Sequence, residues 1–204
     1  MNSSSPSKKF QQLSDEAAIC KFCPRMADMP AILGPGNGCI TSEVVFIAEA
    51  PGRFGAGRTG IPFSGDRSGA NFEILLQHAG LTRNEVFITN AALCNPLENG
   101  NNSRPTTKEI RNCSYYLQAV LDIIQPKIIV TLGGVGLQAM NLLLKTKFQL
   151  KRDAAKWQKI NNFKLLPLYH PSPRVTNWQR PLQQQKRDFR KITQAIKKQS
   201  ISDL

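Results

Sequence analysis

The fold of this chain is best read from residues 44–52, Val-Val-Phe-Ile-Ala-Glu-Ala-Pro-Gly. The first five residues are apolar and rich in β-branched side chains, which predicts a buried strand. Pro51 and the glycines that follow it end the strand and allow tight or left-handed turns. α/β folds place their chemistry in such a loop, at the end of a buried strand. This loop carries Glu49, Asp66, Phe63 and three arginines, a set that suits a flat uncharged ring next to a phosphate chain.

Apolar runs of the same kind recur along the chain and alternate with helical patterns. Strands are predicted at Val44–Ala48, Val86–Thr89, Lys127–Leu132 and Phe163–Tyr169. Helices are predicted at Asn71–Ala79, from Thr106 or Thr107 to about Ile124, at Gly136–Leu144 and at Pro181–Lys198. This alternation predicts a parallel sheet that is covered by helices on both faces. We therefore expect an α/β fold, a three-layer α/β/α sandwich around a central, mostly parallel four-stranded sheet, with a polar loop at Glu98–Pro105.

The length of 204 residues is sufficient for one domain with a full core and too short for two large ones. No apolar run reaches the roughly 20 residues that span a bilayer. Residues 1–14 have no apolar signal core, which predicts a disordered N-terminal tail and a cytoplasmic protein. We expect a single domain over residues 15–198 and a C-terminal tail over residues 199–204.

The charge balance is strongly positive. The chain has 27 Lys and Arg against 14 Asp and Glu, a net charge of +13, and its pI is near 9.9. Such an excess favours a polyanionic partner, most often nucleic acid, although a basic surface that only aids solubility would look the same. Charge therefore supports a nucleic-acid partner without establishing one.

Each predicted strand ends in residues that can carry chemistry. The first ends in Glu49 and its loop, the second in Asn90, the third in a Gly-Gly pair, and the fourth in the run His170–Arg174 (His-Pro-Ser-Pro-Arg). In a parallel sheet the carboxyl ends of the strands meet at one edge, where ligands bind. We therefore expect these residues to converge on one cleft.

A near match to a phosphate-binding loop lies in the same region. Gly52, Gly57, Arg58 and Thr59 follow the strand, with Arg in place of the usual Lys. That loop requires a helix to begin at once and direct its amides at phosphate, whereas Gly60-Ile61-Pro62 follows here. A nucleotide triphosphatase remains the competing class of enzyme.

Five cysteines are present, and four of them suggest a metal centre. Cys20 and Cys23 form a C-x-x-C pair, Cys94 lies just past the second strand, and Cys113 lies in the helix after the polar loop. A cytosolic chain seldom keeps disulfides, and four thiolates suit either tetrahedral zinc or a [4Fe–4S] cluster. Buried small hydrophobic residues are the alternative for Cys94 and Cys113. Cys39 is predicted to be unpaired.

Taken together, these motifs resemble the iron–sulfur branches of the uracil-DNA glycosylase superfamily, families 4 and 5. Glu49–Gly52 is similar to the first motif of family 4, and Arg58–Gly69 is more similar to family 5. Thr89–Pro96 matches the motif of the second strand, and His170–Arg174 matches the last motif. The resemblance runs from Cys20 to the final helix and implies a structural [4Fe–4S] cluster on the cysteines Cys20, Cys23, Cys94 and Cys113.

The resemblance also implies roles for residues of the cleft. Phe63 would stack on a uracil flipped out of DNA, and Asn90 would recognise its edge, with Pro51 and Gly52 completing the substrate site. His170 would stabilise the developing uracil anion. Asp66, or alternatively Glu49, would orient the attacking water, and the family 5 similarity favours Asp66.

DNA contacts are implied for a further set of residues. The residues expected to insert into the duplex are Ser172, Pro173 and Arg174. The residues expected to contact phosphates are Arg53, Arg58 and Arg67. We therefore expect a monomeric base-excision-repair enzyme that hydrolyses the N-glycosidic bond of uracil in DNA. The alternatives are a glycosylase for another deaminated base such as hypoxanthine, and an iron–sulfur protein that binds nucleic acid without excising uracil.

Overall fold

The computed structural model describes the backbone of residues 5–202 and the side chains of residues 5–198. Its helices are α1 Pro6–Ala18, α2 Ala56–Thr59, α3 Arg67–His78, α4 Thr107–Ile124, α5 Gly134–Leu144, α6 Leu150–Asp153, α7 Pro173–Trp178 and α8 Leu182–Ser202. Its strands are β1 Val44–Ala48, β2 Val86–Asn90, β3 Leu97–Glu98, β4 Asn101–Asn102, β5 Ile128–Leu132, β6 Gln158–Ile160 and β7 Phe163–Leu168. None of the helices in this part of the chain is long and apolar enough to cross a membrane.

The central sheet has five strands in the order β2-β1-β5-β7-β6. The four predicted strands, β2, β1, β5 and β7, pair in parallel, and their ends are in register, with Ala48 opposite Asn90 and Leu132 opposite Leu168. The predicted α/β class and mostly parallel sheet are confirmed. The predicted number of four strands is one short, because β6 pairs antiparallel with β7 at the edge and its three residues carry no apolar run.

The two faces of the sheet bury separate cores, which explains the continuous apolar strands. In β1, Val45 and Ile47 pack with residues of α1, α4 and α5. Phe46 and Ala48 point to the other face and pack with residues of α3 and α8. Successive side chains of a strand alternate between faces, so a strand with helices on both sides has to be apolar throughout. The predicted three layers follow from this packing.

The chain termini differ from the predicted tails. Residues 6–18 form α1, which Ser5 caps by accepting a hydrogen bond from the Lys8 N–H. Phe10 and Leu13 are buried, and α1 packs on α4. The prediction of a disordered tail over residues 1–14 is therefore wrong from residue 6 onward, because helical spacing of the apolar residues outweighs the polar composition. Residues 1–4 lie outside the described part.

At the C-terminus the described helix also extends past the predicted boundary. Helix α8 continues to Ser202, so a tail beginning at residue 199 would start inside it. Residues 203 and 204 lie outside the described part of the chain. The limits of the single domain stay a prediction.

The predicted polar loop Glu98–Pro105 contains a β-hairpin instead. Strands β3 and β4 pair antiparallel, and Asn99 and Gly100 between them both have positive φ, at 50° and 72°. An Asn-Gly pair with positive φ at both positions is the preferred two-residue hairpin turn. Its strands are only two residues long, so they leave no apolar pattern by which to predict them.

Candidate active site

A cavity of about 510 Å³ opens at the carboxyl ends of the parallel strands. It lies where a parallel sheet places its ligands. The sequence-predicted residues that line it are Glu49, Pro51, Gly52, Phe63, Asp66, Asn90, His170, Ser172 and Arg174. Residues that are up to 125 positions apart along the chain are brought together because all four parallel strands end at this edge.

The loop after β1 forms a compact turn that leads to Asp66. The Gly52 carbonyl accepts hydrogen bonds from the Gly55 and Gly57 N–H groups, at 3.0 and 2.9 Å. Helix α2 then makes a single turn and ends at Gly60, in the left-handed region. The next helix, α3, begins only at Arg67, so no long helix starts directly after Thr59, which agrees with the argument against a phosphate-binding loop.

Asp66 caps the N-terminus of α3. Its Oδ1 accepts a hydrogen bond from the Gly69 N–H at 2.8 Å, whereas Oδ2 makes no hydrogen bond to the described residues. Oδ2 lies against Gly52 and Gly55, and a Cβ at Gly55 would come within 2.6 Å of it. The absence of a side chain at these glycines therefore makes room for a carboxylate with one oxygen free.

Glu49 supplies a second carboxylate to the same cavity. It is half-buried, and burial raises the pKa of its carboxyl group, while the positive charge of Arg104 acts in the opposite direction. Asp66 and Glu49 thus have different surroundings. Asp66 is held at a helix N-terminus, whereas Glu49 is desolvated by burial.

Asn90, the last residue of β2, contributes an unpaired polar group. The residue is 5% exposed, and its Nδ2 is buried without a hydrogen-bond partner among the described residues. A buried donor without a partner is costly, so it marks a position where a ligand acceptor is expected. Asn90 lines the cavity, which makes its amide a recognition group for something bound there.

His170 follows β7 and is held in one tautomer. Its Nδ1 accepts a hydrogen bond from the Ser172 N–H at 3.1 Å, so the proton of the neutral ring is on Nε2. Burial lowers the pKa of the imidazole to about 4, against the charge of Asp66, which raises it. The Asn71 side chain donates to the Pro171 carbonyl at 2.8 Å and holds this segment against α3. His170 is therefore a neutral hydrogen-bond donor.

Phe63 provides the aromatic surface of the cavity. One face of its ring stacks on Phe72, with centroids 4.5 Å apart and an interplanar angle of 11°. Its centroid lies 5.5 Å from that of His170. The ring thus lies between the protein core and the cavity, where it can stack on a planar ligand.

A family model described as the uracil DNA glycosylase superfamily matches residues 35–197. The chain belongs to this superfamily. The assignment confirms the resemblance derived from the motifs, and the residues of those motifs line the cavity just described.

Individual relatives of this glycosylase-family chain come from both predicted branches. A type-4 uracil-DNA glycosylase of Sulfurisphaera tokodaii is 33% identical over 174 residues, which cover 82% of this chain and 76% of the relative. The type-4 enzyme of Thermotoga maritima is 31% identical, covering 81% of this chain and 82% of the relative. A type-5 uracil-DNA glycosylase of Thermus thermophilus is 29% identical, covering 77% of this chain and 84% of the relative.

Four of the residues predicted to contact DNA in this glycosylase-family protein do not line the cavity. Arg58 and Arg67 are exposed, and Pro173 begins α7. Arg53 stacks on Phe54, and its guanidinium donates to the Gly100 carbonyl, so it joins the first loop to the hairpin. Arg58 and Arg67 are thus exposed in the region between β1 and α3, whereas Arg53 is bonded to the hairpin.

The hairpin supplies lining residues that the sequence did not indicate. Asn102 and Ser103 line the cavity with Asn95, and the Asn102 side chain accepts a hydrogen bond from the Arg53 N–H at 2.9 Å. The Asn99-Gly100 turn was the signal that could have predicted this wall. Tyr169 and Gln179 also line the cavity, and no motif distinguishes them.

Four cysteines of the glycosylase-family chain interact with one another. Burial, followed by the neighbouring Cys charges, raises the pKa of Cys94 to about 12. Burial also raises the pKa of Cys113 to about 11, with Cys20 and Cys23 contributing. Cys39 is separate from this group and contacts the Thr41 hydroxyl at 3.1 Å.

Sulfur is the ligand type that tetrahedral zinc and iron–sulfur clusters take, so the chemistry of these four side chains suits such a group. As the described residues are arranged, no group of three or more His, Cys, Asp or Glu side chains could hold a metal ion. Four thiolates repel one another in a buried site, and a bound cation or cluster relieves that repulsion. The Asn112 side chain donates to the Phe22 carbonyl and to Cys23 Sγ, at 3.1 and 3.4 Å, so the C-x-x-C turn is anchored to α4.

Proposed function

We propose that this protein excises uracil from DNA by hydrolysing its N-glycosidic bond and leaves an abasic site. The observation that carries the proposal is the buried, unpaired Nδ2 of Asn90 in a cavity shared with Phe63, His170 and two carboxylates. Membership of the superfamily and the names of the relatives support the same activity.

Asn90 and Phe63 account for selection of the base. The Asn90 amide donates from Nδ2 to uracil O4 and accepts from N3–H through its oxygen. Cytosine has the opposite pattern at these atoms and would leave buried polar groups unpaired, which is the strongest way for a site to reject an analogue. Phe63 stacks on the flipped ring, and Pro51 and Gly52 bound the pocket beside it.

Cleavage requires stabilisation of charge on both sides of the bond. As N1–C1′ breaks, its electron pair moves to the base, and the His170 Nε2–H donates a hydrogen bond to the uracil anion. The sugar becomes oxocarbenium-like, water adds to C1′, and the water proton passes to a carboxylate. A neutral imidazole serves this role, since the Ser172 N–H already occupies Nδ1.

Asp66 is the first choice for the carboxylate that orients the water. Its Oδ2 is free, while its Oδ1 is held by the Gly69 N–H, so the group is fixed with one acceptor available. Glu49, with its pKa raised by burial, is the alternative. The motifs supply no lysine in the site, so the enzyme is monofunctional and forms no Schiff base.

DNA is held by residues around the cavity. Ser172, Pro173 and Arg174 press into the space that the flipped nucleotide leaves, and Arg53, Arg58 and Arg67 contact phosphates. The cluster of Cys20, Cys23, Cys94 and Cys113 holds a structural [4Fe–4S] group, with tetrahedral zinc as the other group that four thiolates suit. A monomeric state and a cytoplasmic location belong to the same proposal.

The test is incubation of the purified protein, in EDTA, with a labelled oligonucleotide that contains one uracil. Strand cleavage that appears only after alkali is the expected result of monofunctional excision. Absence of cleavage by protein that retains its cluster would contradict uracil excision. An oligonucleotide containing hypoxanthine, and a binding assay, would then separate the two alternatives, a different damaged base and binding without excision.

A further inference from the structure

Arg83 lies outside the cavity but is bonded to the loop that carries Phe63. It belongs to the short turn Arg83–Glu85 that precedes β2. Its Nη1 donates to the Pro62 carbonyl at 2.8 Å, and its Nη2 donates to the Phe63 carbonyl at 2.7 Å. The two nitrogens of one guanidinium thus hold two consecutive carbonyls of the loop, 20 and 21 residues away along the chain.

The backbone that Arg83 holds is in an unfavourable conformation. Phe63 has a φ of 52°, in the left-handed region, which an aromatic residue seldom adopts because of steric strain. Such a conformation persists only where surrounding contacts impose it. Helix α3 provides a second contact, because a Cβ at Gly69 would lie 2.5 Å from the Phe63 carbonyl oxygen. The carbonyl is thus packed on one side and hydrogen-bonded on another.

This conformation directs the Phe63 ring. One face rests on Phe72 and the ring borders the cavity beside His170, so a small rotation of the backbone would move the stacking surface. We infer that Arg83 is a positioning residue that presets the Phe63 ring for the flipped uracil by clamping the Pro62 and Phe63 carbonyls. The inference rests on the stacking role proposed above for Phe63.

Glu73 orients the guanidinium rather than supplying much stability. Arg83 Nε donates to Glu73 Oε1 at 2.5 Å, with the two side chains 28% and 37% exposed. A partly exposed ion pair of this kind contributes little free energy of folding. By holding Nε, the Glu73 carboxylate on α3 directs the two Nη atoms of Arg83 at the loop. This geometry depends on the planar, forked guanidinium of arginine. Lysine could keep the ion pair but could not hold both carbonyls in the same way.

The test is a double-mutant cycle between Arg83 and Phe63. Single-turnover uracil excision at saturating enzyme, and inhibition by free uracil, are measured for wild type, Arg83→Gln, Arg83→Lys, Phe63→Ala and the two double mutants. We expect each Arg83 variant to slow excision about 10- to 100-fold and to weaken free-uracil inhibition, because small misplacements of a positioning group have effects of that size. In the Phe63→Ala background the same Arg83 substitutions should change the rate less than about twofold, because coupled residues are not additive.

Controls separate this inference from a general loss of stability and from the proposed function. Lys127→Gln removes the ion pair with Glu43 at the amino ends of the strands and should leave the rate unchanged. Thermal unfolding of each variant establishes that it is folded, and Arg83→Lys carries the test where Arg83→Gln does not fold. Equal Arg83 effects in both Phe63 backgrounds would overturn the clamp. A wild-type rate for Phe63→Ala would instead overturn the stacking role on which it rests.

Discussion

His170 shows how the surroundings of one residue select its chemistry. A histidine with an ordinary pKa would be partly charged near neutral pH, whereas burial keeps this ring neutral down to about pH 4. The hydrogen bond from the Ser172 N–H assigns the remaining proton to Nε2. In the proposed mechanism, a neutral donor at this position would stabilise the uracil anion without a titration of its own across the physiological range.

The depressed pKa of His170 predicts a pH dependence of stability. Between about pH 4 and 6.5 the unfolded chain binds a proton that the folded chain does not, so the free energy of unfolding should rise with pH across that window. Denaturant unfolding at several pH values measures this slope, and His170→Gln should reduce it. The pKa of His78, the other histidine of the chain, is also lowered, but only that of His170 falls as far as about 4, so His78→Gln should reduce the slope less. An unchanged slope in His170→Gln would contradict the lowered pKa of His170.

The two carboxylates should differ in their effect on catalysis. Asp66→Ala and His170→Ala are expected to slow single-turnover excision by about 10²–10⁴-fold, while DNA binding stays largely intact. Glu49→Gln keeps the shape of the side chain and should have the smaller effect. Excision kinetics together with binding to an abasic-site oligonucleotide make the comparison. A larger loss in Glu49→Gln than in Asp66→Ala would move the water-orienting role to Glu49.

At the scale of elements, the site depends on how a strand end, a turn and a helix N-terminus meet. Asp66 caps helix α3, which begins at Arg67, and the turn after β1 packs against the Asp66 carboxylate through Gly55. The hairpin β3–β4 is joined to the same turn through Arg53. The loop after β1 is thus supported on one side by α3 and on the other by a hairpin that has little stability of its own.

This packing predicts the effect of one added methyl group. Gly55→Ala would place a Cβ 2.6 Å from Asp66 Oδ2, so the carboxylate has to move. We expect excision to fall by at least about tenfold with a small change in melting temperature, because a side-chain tip moves more easily than backbone. Gly34→Ala is the matched control, since its Cβ would meet only Ser14 Oγ at 3.6 Å. Equal excision by Gly55→Ala and wild type would contradict the positioning of Asp66.

At the scale of the whole molecule, the net charge of +13 and the four interacting cysteines are the features that matter. The positive charge favours a polyanion such as DNA at long range. The proposed cluster would join α4 and the loop after β2 to the segment after α1. Neither feature belongs to the cavity itself. Loss of positive charge should therefore weaken DNA binding, and loss of the cysteines should lower the stability of the fold, before the rate of excision changes.

The cysteine group predicts a stability difference between two serine variants. Cys113→Ser removes one of the proposed cluster ligands and should lower both iron content and melting temperature, because cluster binding is coupled to folding. Cys39→Ser should retain both, since Cys39 contacts only Thr41 among the side chains described. Iron and sulfide analysis of the purified proteins measures the cluster content, and thermal unfolding measures the melting temperature. Full cluster content in Cys113→Ser would exclude this residue as a ligand.

Electrostatic binding predicts a salt dependence that can be assigned to residues. The logarithm of the affinity for an abasic-site oligonucleotide should fall linearly with the logarithm of salt concentration. Arg58→Ala and Arg67→Ala should each reduce the slope by about 1, as expected for one phosphate contact. Lys159→Ala, on the edge strand β6, should leave the slope unchanged. Equal effects of all three would show that the arginines act only through net charge.

Local patterns in the chain were sufficient for the α/β class, the four parallel strands, the helices α3, α4, α5 and α8, and the family. They sufficed because buried parallel strands have to be apolar and because their carboxyl ends have to share one edge, where the motif residues Glu49, Asn90 and His170 meet. The same patterns missed α1, the short helices α2, α6 and α7, the hairpin and β6. Their sequences are short or polar, and they are stabilised by packing against other segments. The Arg83 clamp, the tautomer of His170 and the space around Asp66 depend on contacts between side chains and backbone atoms from different parts of the chain. Contacts of this kind exist only after folding, so no spacing rule could have predicted them.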